Sequence, residues 1–123
     1  RVLCIEDNPV NMVLVQELLA QRPGVEALTA TTGAEGVRQA RLHLPDLVLI
    51  DIQLPDFDGF EVLRRLRADA RTAGQRCIAL SANALPEDIE RARRAGFDDY
   101  WTKPIDFDAF LAGVDAVLAD ARA

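Results

Sequence analysis

The chain has 123 residues, half of them hydrophobic, and a formal net charge of −6 at pH 7. This length predicts one domain with a single core, and the acidic balance argues against nucleic-acid binding, which requires clustered Lys and Arg. No apolar run approaches the roughly 20 residues that cross a bilayer, and no signal peptide is visible. Because the chain starts directly ahead of a strand, we expect a cytoplasmic domain of a larger multidomain protein, which could itself be membrane-anchored.

Apolar patterning predicts five strands that alternate with five helices. Short apolar runs predict strands at residues 2–5, 25–30, 47–50, 77–80 and 97–101. Helical spacing, with capping residues such as Asn8, Thr32 and Asp106, predicts helices at residues 9–22, 33–44, 59–70, 86–95 and 107–121. Regular βα alternation implies an α/β fold, with a parallel sheet, helices on both faces and right-handed crossovers.

Residue spacing also predicts which faces of the first two helices pack on the core. In the first helix, the expected core-facing residues are Asn11, Leu14, Val15, Leu18 and Leu19. The apolar residues left over, which would form exposed surface, are Val10, Met12 and Val13. In the second helix, the expected core-facing residues are Val37, Ala40 and Leu42.

Chemically reactive side chains follow four of the five strands. Glu6 and Asp7 follow the first strand, Asp51 the third, Ser81 the fourth and Lys103 the fifth. The carboxyl ends of parallel strands lie at one edge of a sheet, where open α/β folds bind ligands. Crowded carboxylates repel one another unless a cation joins them, and their oxygens suit Mg²⁺. A lysine and a hydroxyl opposite them suit a phosphoryl group, which a carboxylate can accept as the nucleophile.

Two of these residues are unique in the chain. Lys103 is the only lysine among 14 Lys and Arg residues, and Ser81 is the only serine. A lysine in an arginine-rich chain indicates a site that needs a compact ammonium rather than a planar guanidinium. Chance in a biased composition is the alternative explanation.

Other candidates for metal or nucleophilic chemistry are few. His43, the only histidine, lies near a helix end and is interpreted as structural or solvent-facing. Cys4 and Cys77 lie inside strand runs, so we expect them to be buried as small apolar residues without a disulfide. This set excludes a zinc site.

Five short motifs in register span essentially the whole chain. They are Ile-Glu-Asp-Asn at 5–8, Ile-Asp-Ile-Gln-Leu-Pro at 50–55, Asp-Gly at 58–59, Leu-Ser-Ala at 80–82 and Tyr-Trp-Thr-Lys-Pro at 100–104. Together they resemble the receiver domain of two-component response regulators, and the Glu-Asp-Asn-Pro-Val-Asn opening most resembles receivers attached to hybrid sensor histidine kinases. The resemblance implies a flavodoxin-like, doubly wound five-stranded parallel sheet of order 2-1-3-4-5. It also implies a regulatory phosphoacceptor of a phosphorelay rather than an enzyme.

The resemblance assigns a phosphoacceptor and a metal site. Asp51 is the implied phosphoacceptor. The implied direct ligands of Mg²⁺, or Mn²⁺, are the carboxylates of Asp7 and Asp51 and the backbone carbonyl of Gln53. Glu6 is implied to act through a bound water, although its side chain also leaves direct contact open.

The resemblance also implies a switch. Lys103 would pair with the phosphoryl oxygens, Ser81 would hydrogen-bond to them, and Tyr100 would move inward as Ser81 moves; an ordinary strand aromatic is the alternative for Tyr100. The surface of the fourth helix, fifth strand and fifth helix would respond to the added charge, and it could also form a homodimer. The Lys103–Pro104 peptide bond is cis in the family, and Trp101 would pack on the opposite side of its strand.

The phosphodonor histidine must belong to a partner, a histidine kinase or a histidine phosphotransfer domain. The residues expected to dock this partner are Val10, Met12, Val13 and Pro104. Scattered surface apolar residues are the alternative explanation for the first three. We expect no direct contact of this domain with nucleic acid or membrane.

Two other functions would use some of the same residues. A phosphohydrolase of the haloacid dehalogenase type needs a second Asp two residues after the nucleophile, where this chain has Gln53, and 123 residues leave no room for its cap domain. A receiver-like module that only mediates assembly would not need a complete pocket. Neither a dinucleotide-binding Gly-rich fingerprint nor a P-loop is present in the sequence.

Overall fold

The computed structural model describes residues 1–122 of the chain, with side chains as far as residue 119. In this part, strands and helices alternate strictly. The strands are β1 (Val2–Ile5), β2 (Ala27–Ala30), β3 (Leu47–Asp51), β4 (Cys77–Ser81) and β5 (Asp99–Thr102). The helices are α1 (Pro9–Leu19), α2 (Gly33–His43), α3 (Gly59–Ala68), α4 (Pro86–Ala95) and α5 (Phe107–Arg122). None of the helices in the described residues has the length and apolar character needed to cross a lipid bilayer.

The five strands form one parallel sheet in the order β2-β1-β3-β4-β5. This is the flavodoxin-like order, so the predicted fold class is confirmed. The register aligns the strand ends, since Ile5 pairs with Ile50 and Ser81 pairs with Thr102. The residues that end or follow these strands therefore meet at one edge of the sheet.

The central strand β3 separates two apolar cores, one on each face of the sheet. All of its residues are buried. Leu47 and Leu49 point into the core that α1 and α5 cover, whereas Val48 and Ile50 point into the core that α2, α3 and α4 cover. Burial of each such side chain contributes about 1.5–3 kcal/mol. Double-sided burial explains why this stretch of sequence is apolar without alternation.

Local capping fixes where the first two helices begin. The Asn8 side chain accepts two backbone N–H groups of α1, and the Thr32 hydroxyl accepts one of α2, so the predicted starts are confirmed. Four other boundaries lie two or three residues inside the predicted ones, namely the ends of α1 and α3 and the starts of β2 and β5. Capping side chains mark helix starts, whereas these four boundaries depend on tertiary packing that local sequence does not encode.

Helix α1 buries Val15, Leu18 and Leu19, as the sequence predicts, but Met12 joins them in the core. Met12 is only 8 % exposed and packs in the core with Val15 and Leu19, three and seven residues further along the helix. Val10 and Val13 point outward, at 75 % and 56 % exposed. The expectation that Met12 forms exposed docking surface is therefore wrong. Successive residues of a helix are rotated by about 100° around its axis, which places Met12 on the core-facing stripe. The flexible Met12 side chain fills the space at the start of that stripe.

Leu42 of α2 is the second residue that the sequence assigns to the wrong side. It is 65 % exposed, whereas Val37 and Ala40 are buried in the core and Gly36 packs against Ile5 of β1. Leu42 lies two positions after Ala40, which rotates it about 200° around the helix axis. Its side chain therefore points to solvent.

Cys4 and Cys77 are buried, free thiols, as predicted. They lie in different cores, on strands that β3 separates, so no disulfide joins them. Burial raises the pKa of both thiols, that of Cys77 to about 12. Neither thiol is therefore a nucleophile at neutral pH.

Gly59, the first residue of α3, packs against the end of β3. A Cβ atom there would lie 2.7 Å from the backbone carbonyl oxygen of Asp51. We predict that Gly59→Ala lowers the free energy of unfolding by about 1–3 kcal/mol, the usual cost of overpacking. Gly74→Ala is the control, because a Cβ atom there meets nothing within 4 Å. Urea unfolding of both variants measures the difference, and equal stabilities would contradict the prediction.

Candidate functional site

The predicted acidic residues come together at the carboxyl edge of the sheet. Glu6 and Asp7 follow β1 directly, and Asp51 ends β3, the neighbouring strand. One carboxylate oxygen from each lies within 4.8 Å of the others. With Gln53 and Lys103, these residues line an open cleft of about 500 Å³. The chain reverses its winding between β1 and β3, so this cleft lies at the switch point where such sheets bind ligands.

The Lys103 ammonium faces two of these acids. Its Nζ lies 2.8 Å from Oε2 of Glu6 and 3.2 Å from Oδ2 of Asp51. Partial burial disfavours the charged amine, but the two carboxylates outweigh this effect and raise the pKa of Lys103. The backbone N–H of Lys103 donates to the carbonyl of Ser81 at 2.8 Å. The Lys103–Pro104 peptide bond is cis, as the resemblance implies.

Asp51 is only 4 % exposed, and its environment is unfavourable for a carboxylate. Burial, followed by the nearby Glu6 carboxylate, raises the pKa of Asp51 to about 6, against the opposing effects of the Gln53 N–H and the Lys103 ammonium. The Gln53 N–H donates to Oδ1 of Asp51 at 3.1 Å. At neutral pH the group is still mostly ionised, which leaves it competent as a nucleophile.

Glu6 is buried, and both of its carboxylate oxygens have protein partners. Oε1 accepts the backbone N–H of Asn8 at 3.1 Å, and Oε2 forms the ion pair with Lys103. Asp7, in contrast, is exposed at the cleft. The sequence identifies Asn8 only as a helix cap, because no side-chain pattern marks a residue that contributes its backbone N–H.

The charge of the cleft fits a divalent cation. Three carboxylates and one facing ammonium leave a formal excess of two negative charges among Glu6, Asp7, Asp51 and Lys103. Carboxylate oxygens in an open, hydrated cleft are the ligands that Mg²⁺ prefers. The residues present therefore suit this ion.

Ser81 and Tyr100 meet at the loop between β4 and α4. Ser81 is buried, and its Oγ accepts the N–H of Asn83 at 3.1 Å. The Tyr100 hydroxyl donates to the carbonyl of Asn83 at 2.6 Å, with its ring packed partly against the core. A cavity of about 80 Å³ lies between these residues and the ring of Phe60, over which the Arg91 guanidinium stacks at 4.0 Å. Tyr100 is thus half-buried, with its hydroxyl held by the β4–α4 loop.

Trp101 occupies the opposite face of β5, as predicted. Its ring packs edge-on against Phe110 of α5, with centroids 5.6 Å apart, and its indole N–H donates to Asp99 at 3.0 Å. Gly113 of α5 provides the space, since a Cβ atom there would lie 2.6 Å from the indole ring. Trp101 is therefore a packing residue.

The residues predicted to dock a partner do not form one group. Val10 and Val13 are exposed on α1, beside Pro9 and Asn11, which line the acidic cleft. Pro104 is exposed but lines a separate groove of about 270 Å³ with residues of β5 and α5. Asn11, expected in the core, is half-buried at the cleft instead.

The loop from β3 to α3 contains one contact that the sequence does not reveal. The Asp56 carboxylate accepts the backbone N–H groups of Gly33 and Ala34 at the start of α2. In the sequence, Asp56 looks like an ordinary turn former, because its partners lie 22 and 23 residues earlier.

The flavodoxin-like sheet, with acids, a hydroxyl and a lysine at its carboxyl edge, agrees with the resemblance to receiver domains of two-component signalling. The family model of the response regulator receiver domain matches residues 2–115. The chain belongs to this family, whose members interact with kinases or phosphotransfer partners.

Similar proteins cover nearly the whole chain. It is 38 % identical over 120 residues to the polar-differentiation response regulator DivK of Brucella ovis, which covers 98 % of this chain and 97 % of DivK. The receiver domain of sensor histidine kinase PA1611 from Pseudomonas aeruginosa PAO1, with a magnesium ion in its active site cleft, is 32 % identical, with a TM-score of 0.86 over 96 % of each chain. The signal receiver domain of a signal transduction histidine kinase from Syntrophus aciditrophicus is 28 % identical, with a TM-score of 0.85 over 97 % of this chain and 89 % of that one.

Asp51→Asn should change how stability depends on pH in the absence of divalent ions. Folding raises the pKa of Asp51 from 3.8 to about 6. The stability associated with the protonated carboxyl is thus fully present below pH 3.8 and lost as the pH rises through about 6. We predict that in EDTA at about pH 7.5 the variant is more stable than the wild type by about 1–3 kcal/mol. Urea unfolding should show this gap closing toward about pH 4, and a gap that does not depend on pH would contradict the prediction.

Proposed function

We propose that Asp51 accepts a phosphoryl group from a phosphohistidine on a partner protein, with Mg²⁺ bound in the cleft. The observation that carries this proposal is the geometry around Asp51. Its carboxylate lies 3.2 Å from the Lys103 ammonium, and Glu6 and Asp7 each bring a carboxylate oxygen within 4.8 Å. Nucleophile, counter-charge and metal ligands thus share one open cleft.

The transfer is a displacement at phosphorus. A carboxylate oxygen of Asp51 attacks the phosphorus atom, and the bond from phosphorus to the imidazole nitrogen breaks. The nitrogen keeps the electron pair and takes a proton. Lys103 stays protonated, because neighbouring carboxylates raise its pKa, and it offsets charge on the phosphoryl oxygens. Positioning and charge compensation account for most of the catalysis in such reactions.

The residues that would hold the metal are Asp7, Asp51 and the backbone carbonyl of Gln53. Glu6 acts through a bound water, because both of its carboxylate oxygens already have protein partners. When bound, Mg²⁺ supplies positive charge for the phosphoryl oxygens, and Mn²⁺, which also favours oxygen ligands, is expected to substitute for it. The magnesium ion in the cleft of the PA1611 receiver supports this assignment.

The added phosphoryl group is also the signal. It brings nearly two negative charges and three acceptor oxygens. The Ser81 hydroxyl, which accepts a hydrogen bond from Asn83, retains its own proton to donate to these oxygens. Movement of this loop changes the contact between Asn83 and Tyr100. The surface of α4, β5 and α5 changes its conformation in response. We propose that the same surface also forms a homodimer.

Phosphorylation by a small-molecule donor tests the proposal. With acetyl phosphate and Mg²⁺, intact-mass spectrometry should show the wild type gaining one phosphoryl group. Asp51→Asn should gain none, and EDTA should prevent the reaction. Asp58→Asn is the matched control, because Asp58 caps α3 and Asn retains that ability. A phosphorylated Asp51→Asn variant, or an unmodified wild type, would overturn the proposal.

The partner is a histidine kinase or a histidine phosphotransfer domain that docks over α1. Val10 and Val13 are exposed within the first turns of this helix, whose start lines the acidic cleft. An apolar surface beside the nucleophile suits a helical domain that must bring its histidine close to Asp51. Pro104, which lines the separate groove of β5 and α5, would contribute a second contact outside the cleft.

Val13→Asp tests the docking surface, because an added charge disfavours burial at an apolar interface. We predict that this variant slows transfer from the cognate phosphohistidine by about tenfold, the effect of roughly 1.4 kcal/mol. It should leave the rate with acetyl phosphate unchanged. Leu42→Asp is the control, because Leu42 is an apolar residue of α2 that is at least as exposed as Val13. Equal slowing with both donors would contradict the docking role.

We further propose that the domain is part of a larger multidomain protein, such as a hybrid histidine kinase, and acts in the cytoplasm as a regulator rather than as an enzyme. Its likeness to receiver domains of two histidine kinases supports this context. The net charge of −6 agrees with partners that are proteins rather than nucleic acids.

A further inference from the structure

The loop between β3 and α3, residues 52–58, is attached to a helix outside the cleft. Oδ1 of Asp56 accepts the N–H of Gly33 at 2.8 Å, and Oδ2 accepts the N–H of Ala34 at 2.9 Å. Asp56 lies only three residues after Gln53, which lines the cleft. One carboxylate therefore joins the start of α2 to the segment that carries the proposed carbonyl ligand.

Helix α2 divides its capping between a local and a distant side chain. Its first two N–H groups are bound by Asp56, and the next two donate to the hydroxyl and the backbone carbonyl of Thr32, at 3.1 and 3.0 Å. Burial acts to raise the pKa of Asp56, but the backbone N–H groups of Ala34 and Gly33 prevail and lower it. Asp56 is therefore charged at neutral pH, when its bonds to the helix start are strongest.

An apolar contact supports the same attachment. The Phe57 ring lies so close to Gly33 that a Cβ atom there would be 2.6 Å from it. The guanidinium of Arg65, from α3, lies 4.0 Å from the centroid of the Phe57 ring. The loop is thus held on α2 by a polar and an apolar contact side by side.

The two ends of the loop are fixed independently of α2. The N–H of Ile52 donates to Leu80 of β4 at 3.1 Å, and the N–H of Gly59 donates to the carbonyl of Ile52 at 2.9 Å. Gln53 itself is exposed. Its backbone N–H donates to Oδ1 of Asp51 at 3.1 Å, which holds the residue on the side of β3. On the other side, the nearest anchor in the loop that reaches another helix is Asp56.

We propose that Asp56 is a positioning residue for the cleft, which holds the Gln53 carbonyl in place by binding the start of α2. The inference rests on the proposed function, in which that carbonyl is a metal ligand. Groups that orient metal ligands typically change metal affinity by 10–100-fold when they are removed. Loss of Asp56 should thus weaken Mg²⁺ binding although Asp56 does not touch the ion.

Calorimetric titration of the apo chain with Mg²⁺ tests this inference. Asp56→Ala should raise the Kd for Mg²⁺ by about tenfold. Thr32→Ala is the matched control, because it removes the other side-chain cap of α2 and leaves the loop attached; its Kd should change by less than about twofold. The Kd of Asp56→Asn, which keeps one acceptor oxygen, should lie between those of the wild type and Asp56→Ala.

Amide hydrogen exchange in EDTA provides a second readout without metal. Residues 52–58 should exchange faster in Asp56→Ala than in the wild type, but not in Thr32→Ala. Three results would each overturn the inference and leave the proposed function standing. They are a Kd for Mg²⁺ in Asp56→Ala equal to that of the wild type, an equal rise of this Kd in Asp56→Ala and Thr32→Ala, and an unchanged rate of amide exchange in the loop of Asp56→Ala. A wild-type chain that binds no Mg²⁺ would instead overturn the proposed metal site, and this inference with it.

Discussion

Crowding of negative charge at the carboxyl edge of the sheet is the constraint on which the site depends. Three carboxylates offer oxygens within 4.8 Å of one another, and one lysine offsets part of their charge. Burial, followed by the nearby Glu6 carboxylate, raises the pKa of Asp51. A site under this repulsion responds strongly to any added cation or phosphoryl group, because either one changes the local charge balance by about two units.

Contacts along the same edge of the sheet connect the acidic cleft to Tyr100 on β5. Lys103 contacts Asp51 through its side chain and the Ser81 carbonyl through its backbone. Ser81 in turn holds the N–H of Asn83, whose carbonyl accepts the Tyr100 hydroxyl. These contacts form a continuous series from the proposed phosphoacceptor to β5. In the proposed function, these short, directional bonds are the route by which charge at Asp51 would alter the surface of α4, β5 and α5.

The sequence predicts the fold and the composition of the cleft, because four of the five strands end in a reactive side chain. The acid after the buried run of β3 and the lysine after β5 are examples, and parallel topology then brings such ends together. Met12 and Leu42 are assigned to the wrong sides, since a helical pattern leaves the phase of a stripe uncertain by one residue. The hydrogen bonds that Asp56 accepts could not be predicted from the sequence, because their donors are backbone N–H groups more than 20 residues away.

Trp101 packs β5 against α5 and also provides a fluorescence signal from that contact. Neighbouring strand residues point to opposite faces, so a backbone displacement at Tyr100 would be passed to Trp101, whose indole ring lies against α5 at Gly113. The chain contains one tryptophan. Its fluorescence therefore originates where β5 packs on α5, two residues before Lys103 of the cleft, and a change in emission on activation would report a change in that packing.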